Sequence, residues 1–266
     1  MQHSLDMLNF SRIFVIAKNV FQEVIRDRIL YIIGVYILIL AAAIRLLPEV
    51  AANTDGKMFL DFGIAAMSVI ALIVAVFVGT GLVNKEIEKR TVLMLIAKPI
   101  SRSEFITGKY LGLSAVLALL IAIMTGIYLI FLQFGHIHHS ANSIVIAAVF
   151  LFLQTSLIAA VAISLGVFTS SLLAIVLTLA VYLLGNITQD LLKFGKLSNS
   201  PGIQQLTQAL YLILPDLSRL DLKNYAVYGL QALPEPSALI ANAGYGLIYS
   251  ALLLAIAILV FSRREF

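Results

Sequence analysis

The sequence predicts an all-α membrane fold in one domain spanning residues 1–266. It has six transmembrane helices, an N-terminal amphipathic helix in the membrane interface and a structured loop on the cytoplasmic side. Three observations carry this. The chain is 61% hydrophobic with a mean hydropathy of +1.01. It is only 12% charged, where a soluble domain has about 25%. Its apolar residues gather into runs of the ~20 residues that a spanning helix needs, and its Lys and Arg residues fall between the runs. Helices are the spanning form expected, because backbone groups facing lipid must be paired within their own segment. The chain has no cysteine, which excludes a disulfide framework and thiol chemistry, and no Trp, so an interfacial aromatic belt falls to Tyr and Phe.

Residues 8–27 come first. Phe10, Ile13, Phe14, Ala17, Val20, Phe21, Val24 and Ile25 recur at spacings of three and four, with Arg12, Lys18, Asn19, Glu23 and Arg26 mostly elsewhere on the wheel. This is an amphipathic helix suited to the interface. No short apolar stretch with a small-residue cleavage site accompanies it, so it is not read as a cleaved signal. The six spans follow at Ile29–Leu47, Phe62–Val83, Tyr110–Phe134, Ala141–Phe168, Leu172–Leu192 and Ala238–Phe261.

Orientation follows from the basic residues. Both termini and the loop 84–109 share one side, with Arg12, Lys18, Arg26, Arg28, Lys85, Lys89, Arg90, Lys98, Arg102, Lys109, Arg263 and Arg264. The other side has Arg45, Lys57, Lys193, Lys196, Arg219 and Lys223. The richer side is read as cytoplasmic. The basic residues thus act as topology signals, and no nucleic-acid partner is expected.

The outer segment 193–237 is too apolar for a disordered linker. Ile203–Leu214 predicts a short helix against the bundle. His136, His138 and His139 cluster between spans three and four, but no Cys, Asp or Glu stands beside them, and no metal site is assigned. Asn186, Gln189, Asp190 and Lys193 share a face at the outer end of span five, where Asp190 and Lys193 suit an i,i+3 pair. Gln154, deep in span four, and Asn186 are the pathway candidates; hydrogen bonding between helices accounts for Gln154 equally well.

The loop 84–109 is unlike an ordinary link. Lys85–Arg90 continues span two past the lipid, with Glu86 placed to meet Lys89 and Arg90. Thr91–Ala97 is an apolar patch, ended by Pro99. Ser101-Arg102-Ser103-Glu104 then forms a capping box that starts a new helix. An apolar plug framed by charge has the anatomy of a docking surface.

The pattern Glu86-x-Glu88-x-x-Thr91-x-x-x-Leu95-x-x-x-Pro99-x-Ser101-Arg102, continued by Gly108-Lys109, resembles the first cytoplasmic loop of ABC transporter permeases of the type-2 export family, including the branch linked to multicopper-enzyme maturation. Leu214-Pro215-Asp216-Leu217-Ser218-Arg219-Leu220-Asp221-Leu222 is similar to the last outer loop of that branch. The resemblance implies a multi-pass permease of a bacterial inner membrane, with both termini cytoplasmic. It would pair with a second copy or a paralogue, and this loop would seat a coupling helix in a separate ABC ATPase. The residues implied in that contact are Glu86, Glu88, Arg90, Thr91, Leu93, Leu95, Pro99, Ser101 and Arg102.

The sequence agrees that ATP and Mg, if used, are bound by a partner. There is no G-x-x-x-x-G-K-[ST] loop, since Gly108-Lys109 runs into Tyr110. Intramembrane enzymes fit poorly: all four histidines lie outside the spans, H-E-x-x-H is absent, and Asp190 is the only acidic residue within a span. No catalytic residue and no cofactor of the chain's own are expected. A passive channel or an assembly scaffold is the alternative, and neither needs a docking helix.

Overall fold

The computed structural model describes residues 10–50, 55–88, 101–198, 200–229 and 233–263. The described residues form helices α1 (Phe10–Val50), α2 (Asp55–Glu88), α3 (Arg102–Phe134), α4 (Ala141–Phe168), α5 (Ser171–Asn186), α6 (Thr188–Leu197), α7 (Pro201–Ile213), α8 (Lys223–Tyr228) and α9 (Pro236–Arg263). A 3-10 turn, Leu217–Leu220, precedes α8. Among the described residues, five helices are long and apolar enough to cross a membrane, and the bent pair α5–α6 would be a sixth. The described residues thus form a multi-pass helical fold without strands.

The centre of the bundle is α4, which contacts α2, α3, α5 and α9. Its sequence explains its place. Ala159, Ala160, Ala162, Ser164 and Gly166 are small, and small side chains let helix backbones approach in lipid. A Cβ on Gly166 would lie 3.2 Å from the Thr80 carbonyl oxygen of α2. Peripheral helices instead show the bilayer Leu30, Tyr31 and Leu38 on α1 and Ile240, Ile248 and Leu259 on α9.

Two elements add to the expectation or depart from it. The segment 8–27 was expected as an amphipathic interfacial helix leading straight into span one. From Phe10 it is continuous with that span in one helix of 41 residues. No Gly or Pro interrupts residues 10–33, so nothing stops the helix. At 1.5 Å per residue it is ~60 Å long, about twice the hydrocarbon thickness. Ile13 and Val20 are buried, while Phe10 and Phe14 stay exposed.

Span five was expected unbroken over Leu172–Leu192. The helix instead breaks at Ile187 and bends by 60°. The cause is local chemistry. Asn186 Nδ2 donates to the Tyr182 carbonyl at 2.8 Å, and Thr188 Oγ1 donates to the Gly185 carbonyl at 3.1 Å, both competing with the helical ladder. A Cβ on Gly185 would sit 2.8 Å from the Pro215 carbonyl oxygen, so glycine admits the outer segment right against the helix. The predicted short helix is present as α7, and Gly195 of α6 lies against Thr207 of α7 in a tight helical hairpin.

Candidate functional site: the loop end of the bundle

The loop 84–109 joins α2 to α3, and both of its ends are tied to other helices. At the α2 end, Asn84 is buried. With its amide nitrogen turned toward α4, it donates to the Gly166 and Thr169 carbonyls at 3.0 Å each. These are carbonyls of the last turn of α4, which lack helical partners of their own.

At the α3 end, the capping box has formed. Ser101 Oγ accepts from the Glu104 backbone N–H at 3.2 Å, and Glu104 Oε2 accepts from the Ser101 backbone N–H at 2.9 Å. Ser101 has the extended backbone of an N-cap, φ −75° and ψ 153°. Glu104 is 2% exposed, and Arg12 of α1 approaches the same Oε2 at 3.9 Å. The cap therefore also marks a junction between α1 and α3.

Glycines bring those two helices together. A Cβ on Gly108 would lie 2.8 Å from Ile16, and one on Gly112 would lie 2.7 Å from the Ala17 carbonyl oxygen. Any larger residue would drive α1 away. Gly108 belongs to the loop pattern quoted above, so part of that pattern has a packing reason.

Arg102 reaches a third helix. Its Nη1 donates to the Phe261 carbonyl of α9 at 2.8 Å and also to the Ser262 carbonyl. The guanidinium sits 6.0 Å from the centre of the Phe261 ring, which stacks on Phe105 at 5.8 Å. Lys109, itself buried, places Nζ 5.3 Å from the Phe105 ring centre. The two cations and two rings interleave, a favourable arrangement where water is scarce.

Of the residues implied in partner contact, Ser101 and Arg102 are therefore in the junction. Glu86 and Glu88 lie in the last turn of α2 with their side chains undescribed. Arg90, Thr91, Leu93, Leu95 and Pro99 lie outside the described residues.

The pathway candidates lie toward the opposite end. Gln154, 1% exposed, donates to Asn186 Oδ1 at 3.1 Å and to the Leu217 carbonyl at 3.4 Å. The pair joins α4 to the break in span five. Asp190 and Lys193 pair at 3.1 Å, both well exposed, as their spacing predicts. Gln189 parts from them and donates to Asp216 Oδ2 at 2.9 Å.

Asp216 is the residue that sequence reading missed. It is 3% exposed and accepts from Thr188, Gln189, Ser218 and Arg219, the last at 3.0 Å. Its backbone N–H donates to the Tyr245 hydroxyl at 2.8 Å, and the Arg219 guanidinium lies 5.0 Å from the Tyr245 ring centre. Burial pushes the Asp216 carboxyl up, but the hydrogen bonds from Ser218, Gln189 and Arg219, with the Arg219 charge, outweigh it and hold it below its ordinary value. The available signal was Asp216 and Arg219 at i,i+3 after Pro215.

His139 Nδ1 lies 2.7 Å from the Ile137 carbonyl oxygen, and His136 takes a left-handed φ of 49° in the same turn. Among the described residues, no three His, Asp or Glu side chains converge to hold a metal ion.

Compared with known proteins, residues 14–266 match the model of a family described as ABC-2 family transporter protein. No curated protein matches the chain.

Proposed function

We propose, from the premise that the chain belongs to the ABC-2 family of transporter proteins, that it is an export permease driven by a separate ATPase docked on residues 85–106. Family membership makes it a multi-pass permease of an ABC transporter. The finer reading adds that two permeases, identical or paralogous, form the pathway. Both termini and the loop face the cytoplasm, in a bacterial inner membrane. ATP and Mg belong to the partner's chemistry, and this chain hydrolyses nothing.

The observation that carries the reading is the double anchoring of the loop. A plain connection between two spans needs no buried capping box and no ties to α1, α4 and α9. A force-transmitting loop needs all of them, because a push on a floppy link is lost before it reaches a span. Thr91–Ala97 then supplies the plug. Its apolar side chains favour a covered position by roughly 1.5–3 kcal/mol each when fully buried, and the charged rim adds orientation more than affinity.

The test uses Leu93→Asp and Leu95→Asp, purified in detergent with the candidate ATPase co-expressed. Each places a charge inside the dock, which should weaken assembly by several kcal/mol, while the spans insert normally. Full ATPase capture by both variants at normal permease levels would overturn the reading and favour a channel or scaffold.

A further inference from the structure

We infer that a cleft between α3, α4 and α9 is a lipid site, which takes a segment of a phospholipid acyl chain from the surrounding bilayer. Only the spanning helices are needed for it, and it is independent of where an ATPase docks.

At the loop end α3 touches α9, where Phe105 stacks on Phe261. Further along, three helices bring small residues to one place: Ser114 of α3, Ser156 of α4 and Ser250 of α9. They leave a cleft of about 180 Å³, with Phe152 of α4 in its wall. It opens at Leu111 of α3 and Leu247 of α9, which are 50% and 58% exposed.

The opening lies at the depth of hydrocarbon. At 1.5 Å per residue, Ser114 is ~18 Å along α3 from Arg102, and Ser156 is ~18 Å along α4 from Phe168. Helices of 33 and 28 residues overhang a ~30 Å hydrocarbon layer by only ~6–10 Å at each end. The cleft therefore faces lipid tails and not water.

Its wall selects an apolar occupant. Ser156 Oγ lies 2.8 Å from the Tyr110 hydroxyl and 3.1 Å from Ser114 Oγ, and Ser250 Oγ donates to the Gly246 carbonyl at 2.8 Å. Each hydroxyl is satisfied inside the chain, so none calls for a polar ligand. What remains facing the cleft is apolar surface, and a void beside such surface forfeits dispersion contacts. A cavity of ~150 Å³ takes a benzene ring, so this one admits a short run of methylenes. A flexible alkyl chain, present all round at this depth, fits it. Once in place, the chain fills the gap that the three serines leave and joins α3 to α9 beyond the Phe105 stack.

The test uses photo-reactive lipids. The chain, with the subunits that co-purify, is reconstituted in nanodiscs with a phospholipid carrying a diazirine midway along one acyl chain, or with one carrying it on the headgroup. After irradiation, adducts are located by mass spectrometry. Labelling of the half-buried Phe152 is compared with the mean for Leu119 of α3 and Leu252 of α9, which are exposed on the two helices that flank the opening. Two variants follow. Ser250→Leu fills the cleft from its wall. Leu247→Trp narrows the opening from an exposed position and leaves the packed wall untouched.

In the wild type, the mid-chain probe should label Phe152 at or above the reference mean, and the headgroup probe should not label it. Each variant should cut the Phe152 adduct severalfold and leave the reference positions unchanged. Labelling of Phe152 below the reference mean, as when water or a second copy of the chain covers the cleft, overturns the inference. So does labelling by the headgroup probe, or a Phe152 adduct undiminished in either variant. If Ser250→Leu also loses its reference labelling, it has misfolded, and Leu247→Trp decides.

Discussion

The two ends of the bundle are held together by different chemistry. At the loop end, helices meet through a capping box, glycine contacts and an arginine bonded to the carbonyls of Phe261 and Ser262. At the opposite end, a buried carboxylate gathers four side-chain donors and fixes the outer segment against the break in span five. The first set joins long helices by contacts at their edges, which survive small rotations. The second is a closed network around one charge, and a partly satisfied buried network is worse than none. On the proposed coupling, the loop end would pass on movement, and the opposite end would give the moving helices a fixed reference.

The largest expected effect lies at the fixed end. Asp216→Ala should lower stability by on the order of 3 kcal/mol, since it leaves Arg219 and the polar donors unpaired, discounted because Arg219 is 39% exposed. Thermal unfolding followed by circular dichroism in detergent checks it, and a loss below that of Gln154→Leu would break the comparison. The sign with pH is fixed by the lowered Asp216 carboxyl. Its contribution is present above the ordinary value of 3.8 and is lost as pH falls below it. The stability gap between wild type and Asp216→Asn should hold from neutral to mildly acidic pH and close at lower pH.

Next comes Gly112→Leu. Overpacking against Ala17 and Val20 should cost about 1–3 kcal/mol and should increase labelling of Val20→Cys. Gln154→Leu should cost about 1 kcal/mol, the scale of a neutral hydrogen bond, measured by the same unfolding curves. Smallest is Lys193→Ala. The ion pair with Asp190 is mostly exposed, so a change of about 0.5 kcal/mol or less is expected. A large loss there would show that the outer segment depends on its surface charges as well as on Asp216.

Most of the fold was legible in the sequence because lipid enforces it. Ala141–Phe168 has the same limits in both readings, and the Ser101 capping box follows from four residues. The break in span five was illegible for a physical reason. Asn186 and Thr188 look like ordinary polar residues near a span's end until Pro215–Leu217 is known to press on Gly185. Asp216 was missed likewise, since its donors come from residues 188, 189, 218 and 219 on two separate stretches. Arg102 was placed by resemblance among partner contacts, and no local pattern reveals that the carbonyls it meets belong to Phe261 and Ser262.

The central claim is that the loop end is where an ATPase sits. A photo-reactive benzoylphenylalanine placed at Leu95 tests it directly, with the same group at Leu212 in the outer segment as its counterpart. The chain is irradiated in native membranes and its adducts are identified by mass spectrometry. An adduct is expected from position 95 to a subunit carrying a G-x-x-x-x-G-K-[ST] loop, and none to that subunit from position 212. No such adduct from position 95, with the permease inserted at normal levels, would contradict it.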